Sequence, residues 1–88
     1  MSFYVYMLEC ADKTLYTGYT DDVEKRLAAH NAGEGAKYTR SRRPCNLVYV
    51  ETFESKHDAL SREWNIKHTM SREYKLKLVE DNKNRLNK

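Results

Sequence analysis

Two short runs rich in Tyr, Val, Leu and Thr, residues 3–10 and 14–20, are separated only by the polar stretch Ala11-Asp12-Lys13. So short a connection between β-forming runs predicts an antiparallel hairpin with a short loop. A third β-rich run, residues 47–53, alternates in character and predicts a third strand. Asp21 reads as a helix N-cap with Glu24 three residues on, the capping-box pattern, and the helix is expected to end near His30 at Asn31-Ala32-Gly33. Val23 and Leu27 give that helix a thin apolar stripe, so most of it faces solvent. Residues 32–44 hold two glycines and the chain's one proline and read as loop. Ser55 caps a second helix, with Asp58 at its third position, running to about Thr69. Ser71 opens a third, carrying Tyr74, Leu76, Leu78 and Val79. The order is ββαβαα, an α+β domain built on a small three-stranded antiparallel sheet flanked by helices. The domain is expected over residues 1–80, with a polar, frayed tail over 81–88.

At 88 residues the chain is one domain with a modest core. Its net charge of +3, from 16 basic and 13 acidic residues, is too small to establish a nucleic-acid partner. The distribution says more: Lys37, Arg40, Arg42 and Arg43 crowd into seven positions without an acid. Such a cluster suits a polyanion, although a solvated basic loop has the same composition. The apolar opening run contains Glu9, lacks a preceding basic segment and is too short to span a bilayer, so it reads as a strand and not as a signal peptide. Cys10 and Cys45 show no metal-type or CxxC spacing, which favours reduced thiols and a cytoplasmic location.

Glu63 is the sharpest chemical signal. At helical periodicity Ala59, Leu60, Trp64, Ile66 and Met70 define one broad apolar face with Glu63 near its centre. An inward carboxylate needs a pair, a hydrogen bond or a metal. One carboxylate completed by water and substrate phosphate is an ordinary Mg²⁺ arrangement. An ion pair with Lys67 one turn on is the plainer reading. Arg26 sits at the edge of the first helix's stripe, where it is either an exposed arginine or a guanidinium placed for a phosphate. His30, one turn further, is either a general acid or base or a polar residue closing the helix. Tyr6 and Tyr16 are sheet aromatics that would serve catalysis only if neighbouring cations favoured the phenolate. Tyr4, Tyr19, Tyr38 and Tyr49 either pack or stack on bases. His57 and His68 are too far apart for joint metal ligation and read as surface residues.

Tyr4-Val5-Tyr6, then Tyr16-Thr17-Gly18, Asp22-Val23-Glu24-Lys25-Arg26-Leu27 and Ala59-Leu60-Ser61-Arg62-Glu63 resemble, in order and spacing, the signature of the GIY-YIG nuclease family. The likeness runs from residue 3 to about 80 and is closest to the small stand-alone bacterial members of the YhbQ/YazA type. The stretch from His30-Asn31 to Thr39-Arg40-Ser41-Arg42-Arg43-Pro44 is also similar to the Slx-type junction nucleases. The resemblance implies a metal-dependent endonuclease hydrolysing phosphodiester bonds of DNA, with branched or damaged DNA among its substrates. It implies that Tyr6 positions the attacking water, Tyr16 is the general base, Arg26 stabilises the phosphate and Glu63 holds a single Mg²⁺ or Mn²⁺. His30 falls where relatives carry Tyr or His near the active site. Lys37, Arg40, Arg42 and Arg43 would grip the nucleic-acid backbone. Three departures stand out: Tyr4 in place of glycine and Thr17 in place of an aliphatic residue, Tyr19 where some relatives carry a lysine, and no separate DNA-binding domain. The other readings are a non-catalytic nucleic-acid-binding adaptor working through a protein partner, and a nuclease directed at RNA.

Overall fold

The computed structural model describes residues 2–86, with side chains through residue 83. Strand β1 (Phe3–Glu9) and strand β2 (Leu15–Thr20) form the expected antiparallel hairpin, in a register that sets Tyr6 opposite Gly18 and Leu8 opposite Tyr16. Strand β3 (Asn46–Phe53) pairs antiparallel with the other edge of β1, so the sheet order is β2-β1-β3. Helix α1 (Val23–Asn31) and the single turn α2 (Lys37–Arg40) come before β3, and α3 (Lys56–Thr69) and α4 (Arg72–Leu86) follow it.

Alternation along β1 divides its side chains between two cores. Val5 and Met7 pack with Tyr49, Ala59 and Ile66 beneath α3. Tyr6, Leu8 and Cys10 pack on the opposite face with Cys45, and Tyr16, Leu27 and Val50 close around them. The central strand is therefore covered on both faces, and its second face carries a tyrosine in an otherwise apolar layer.

Side-chain caps fix the helix starts. Ser55 Oγ accepts the Asp58 amide at 3.3 Å, and Ser71 Oγ accepts the Tyr74 amide at 3.2 Å, as the sequence predicts. At α1 the cap is Asp22 and not Asp21: Asp22 Oδ1 accepts the Lys25 amide at 3.1 Å. This shift of one residue moves Glu24 off the third helical position, so the capping box does not form. Thr20 fixes the choice, because its hydroxyl accepts the Asp22 amide at 3.1 Å and ties the end of β2 to the helix start.

Three further expectations are corrected. The segment 32–44 is not all loop, since α2 forms one turn within it. The frayed tail from Asp81 is instead a continuation of α4 to Leu86, and Asn82 donates to the Val50 carbonyl at 3.3 Å. Residues 87 and 88 of that expected tail lie outside the described residues. The broad apolar face of α3 is narrower than periodicity suggests: Ala59 and Ile66 are buried, but Leu60 is 40% and Trp64 57% exposed.

Candidate active site

The register of the hairpin creates the site. Tyr6 lies across Gly18, where an added Cβ would sit 2.6 Å from the ring's Cζ, so only glycine admits the phenol there. The ring is 2% exposed, and its hydroxyl lies 2.8 Å from His30 Nε2. His30 is itself fully buried at the end of α1, and its Nδ1 lies 2.7 Å from Thr39 Oγ1 on α2. The Thr39 hydroxyl donates to the Ala36 carbonyl at 3.0 Å, so it accepts from His30 Nδ1–H. That leaves Nε2 as the acceptor of the Tyr6 proton. The Ala36 amide also approaches Nδ1, but at 3.4 Å it is the longer contact and does not displace Thr39. Gly35 packs on the imidazole, where a Cβ would come 2.7 Å from Cγ. The sequence left His30 as either acid–base group or helix terminator; its burial and two ring contacts make it the hub of a hydrogen-bonded chain, Tyr6–His30–Thr39.

Burial raises the Tyr6 phenol to about 12, opposed by the adjacent Arg26 guanidinium and reinforced by the charges of Tyr16 and Glu63. Arg26 is raised above its already high value, first through the Tyr6 phenol, against a smaller effect of burial. Among the described residues its Nε is buried without a hydrogen-bond partner, a directed donor lacking an acceptor. His30 is lowered below its ordinary 6.5, by burial first and by the Arg26 charge second. The imidazole is therefore neutral at pH 7, with one ring nitrogen donating and the other accepting.

The depressed value of His30 has a consequence for stability. Between it and 6.5 the unfolded chain binds a proton that the native imidazole does not. This contribution is complete above about pH 6.5 and declines as pH falls through the window, by at most about 1.4 kcal/mol per pH unit. Urea unfolding between pH 5 and 7 should show that acid-side loss in the wild type and a shallower slope in His30→Gln. Identical slopes would contradict the assignment of a neutral, buried imidazole.

Tyr16, on the same sheet face, meets His30 edge-on at 5.1 Å and stacks on Tyr38 at 5.9 Å. Arg42 lies 4.0 Å over the outer ring of Tyr38 and is held at 3.0 Å by Asp12. Glu63 approaches from α3. Its side chain is 20% exposed, and its carboxylate meets Lys67 Nζ at 3.4 Å. The ion pair that sequence spacing offers as the plainer reading does form. Lys67 Nζ lies 5.6 Å from the centre of the Tyr16 ring.

Of the sequence-predicted groups, Tyr6, Tyr16, Arg26 and His30 thus fall in one neighbourhood, and Glu63 stands at its edge through Lys67. Among the described residues no three His, Cys, Asp or Glu side chains cluster as a metal cage. A lone half-buried carboxylate fits a hard cation that keeps water and takes phosphate oxygens as its remaining ligands. The basic cluster is less uniform than its sequence. Arg42 donates to Asp12 and, at 2.8 Å, to the Tyr38 carbonyl, while Arg43 donates to the Arg40 and Asn31 carbonyls. These two arginines fasten the α2 segment, although Arg43 stays exposed, and Lys37 and Arg40 are the cluster's exposed cations without such bonds among the described residues. His57 and His68 are exposed, as expected. A cavity of about 450 Å³ lined by Tyr49, Glu51, Arg62, Asp81 and Asn82 lies at the β3 edge, on the other side of β1 from the β2 residues of the site.

Sequence reasoning missed Thr39, Gly18 and Gly35. Only Gly18 carried a readable signal: a hairpin pairing that puts it across from Tyr6 demands a residue without a side chain. Thr39 and Gly35 contact His30 through a loop whose path spacing does not encode.

Comparison with known proteins supports the fold and the family. The family model described as "GIY-YIG catalytic domain" matches residues 2–85. A UPF0213 protein of Staphylococcus haemolyticus is 59% identical over 78 residues, covering 89% of this chain and 94% of the relative. One of Natronomonas pharaonis is 60% identical over 78 residues, covering 89% and 91%. The solution NMR structure of the UPF0213 protein BH0048 from Bacillus halodurans superposes with a TM-score of 0.59 at 50% identity, covering 91% of this chain and 84% of that one. The solution NMR structure of EF2693 from E. faecalis gives 0.63 at 40% identity, covering 92% and 85%. This chain, with its tyrosine hairpin, arginine helix and glutamate helix in GIY-YIG order, belongs to the GIY-YIG family.

Proposed function

We propose that the protein is a divalent-metal-dependent endonuclease that hydrolyses phosphodiester bonds of DNA. The observation carrying this reading is the buried, unpartnered Arg26 Nε set beside a Tyr6 phenol whose own proton is directed into His30. Because Tyr6 donates to His30, its oxygen is free to accept from a water molecule. When that water attacks phosphorus, its proton passes to Tyr6 Oη as the Tyr6 proton passes to His30 Nε2. The new O–P bond forms, the bond to the leaving sugar oxygen breaks, and that oxygen takes a proton from solvent. A phenol held near 12 is a poor base alone, and the neutral imidazole behind it supplies the proton sink. This assigns proton transfer to Tyr6 with His30 and orientation of the water to Tyr16, the reverse of the tyrosine roles that family resemblance implies.

Arg26 supplies directed donors to the non-bridging oxygens, where negative charge builds in the transition state. Glu63 would hold a single Mg²⁺ or Mn²⁺, which when bound neutralises phosphate charge and orients the substrate. A reducing cytoplasm suits Cys10 and Cys45, free thiols whose sulfurs lie 3.7 Å apart. Among the described residues no helix is long and apolar enough to cross a membrane.

With Arg42 and Arg43 bonded to Asp12 and to backbone carbonyls, the loop offers two cations free of such bonds to a duplex backbone. Log affinity should then fall against log salt with a slope near about −1.8, against about −3.6 if all four residues neutralised phosphates. Fluorescence anisotropy over a salt series checks this, and the steeper slope would mean that the internal bonds of Arg42 and Arg43 break on binding. The function itself is tested on matched single-stranded, duplex and branched substrates in DNA and RNA, with Mg²⁺, Mn²⁺ or EDTA. Metal-dependent cutting of DNA supports the proposal. Cutting confined to RNA would change the substrate, and binding without cutting would favour the adaptor.

A further inference from the structure

Lys67 lies between the two halves of the site. Its ammonium touches Glu63 at 3.4 Å on its own helix and lies 5.6 Å from the centre of the Tyr16 ring across the β2 edge. Beside it is a recess of about 210 Å³ bordered by Tyr16, Thr17, Tyr38, Lys67 and Lys75. The recess thus has an aromatic wall and two lysines at its border, a setting suited to a phosphate group.

We propose that Lys67 is a substrate-phosphate ligand held in reserve by Glu63. It neutralises the carboxylate while no metal is bound, and it turns onto a phosphate at the Tyr16–Tyr38 recess when a divalent ion takes its place. The inference rests on the assignment of Glu63 as metal ligand and extends it to a residue that the catalytic scheme does not use. A side chain with four rotatable bonds, 38% exposed and bonded through one short ion pair, can move at little cost. Glu63 cannot serve a fixed ammonium and a divalent ion at full strength together, because both would draw on the one carboxylate and repel each other. Metal and backbone phosphate would consequently bind cooperatively, each relieving the other's competitor.

The test measures Mn²⁺ binding by electron paramagnetic resonance on nucleic-acid-free wild type, Lys67→Met and Glu63→Gln. Loss of a positive charge beside the ion should tighten Mn²⁺ binding in Lys67→Met by about tenfold. A second arm measures binding of a DNA oligonucleotide in EDTA and in Ca²⁺. The gain given by Ca²⁺ should be about two- to fivefold larger in the wild type than in Lys67→Met, the contribution of one exposed ion pair. Equal or weaker Mn²⁺ binding in Lys67→Met, or equal Ca²⁺ gains, would overturn the proposal. Mn²⁺ binding that is unchanged in Glu63→Gln would instead remove the assignment of Glu63 as ligand, and the inference with it.

Discussion

Glu63→Gln is expected to abolish cleavage while leaving DNA binding within about twofold, since the exposed phosphate-facing cations are untouched. The carboxylate is the one group on α3 placed to hold a divalent ion at the site. The charge stabilisation such an ion supplies is several kcal/mol, and about 4 kcal/mol corresponds to roughly a thousandfold in rate. Glutamine keeps the size of the side chain, so the packing of Ala59 and Ile66 under the sheet is preserved. Releasing Lys67 from its partner should, if anything, favour binding. Single-turnover cleavage and anisotropy on the same preparation separate the two effects. Loss of both together, with a lowered melting temperature, would mark Glu63 as a structural residue.

Gly18→Ala should be nearly as damaging, by a different route. Its Cβ would intrude on the Tyr6 phenol, which is 2% exposed and bonded to His30, so neither ring has room to yield. Overpacking of this kind costs about 1–3 kcal/mol. Displacing Tyr6 by about 1 Å would lower the rate by about a hundredfold even in the folded fraction. Urea unfolding and cleavage assays should therefore show both losses. Wild-type stability with wild-type rate would mean that Tyr6 does not lie over Gly18 as described.

The contrast between what sequence reading supplied and what it lacked is physical. Strand alternation, the caps at Ser55 and Ser71 and the short hairpin loop are local signals, and each predicted its element. The helix cap at Asp22 was misplaced by one residue because the two adjacent aspartates are equivalent locally, and the discriminating Thr20 contact comes from the end of β2. Leu60 and Trp64 were assigned to the core because periodicity reports a helix's apolar residues without saying how wide a stripe the sheet can cover. Convergence at the site was legible only through family resemblance. Spacing says nothing of Arg26 meeting Tyr6, nor of Thr39 closing the chain behind His30. The basic cluster shows the reverse failure: four adjacent cations read alike, yet Arg42 and Arg43 spend their donors on Asp12 and on backbone carbonyls.

The central claim is that Tyr6, His30, Arg26 and Glu63 form one phosphodiester-cleaving centre. Cleavage of supercoiled plasmid and of a branched DNA oligonucleotide tests it most directly, with purified wild type in Mg²⁺ or Mn²⁺, an EDTA arm, and Glu63→Gln prepared in parallel to exclude a contaminating nuclease. The account predicts metal-dependent cutting by the wild type alone. A folded wild-type protein that binds these DNAs and leaves them intact in either metal, or cutting that persists in Glu63→Gln, would contradict it.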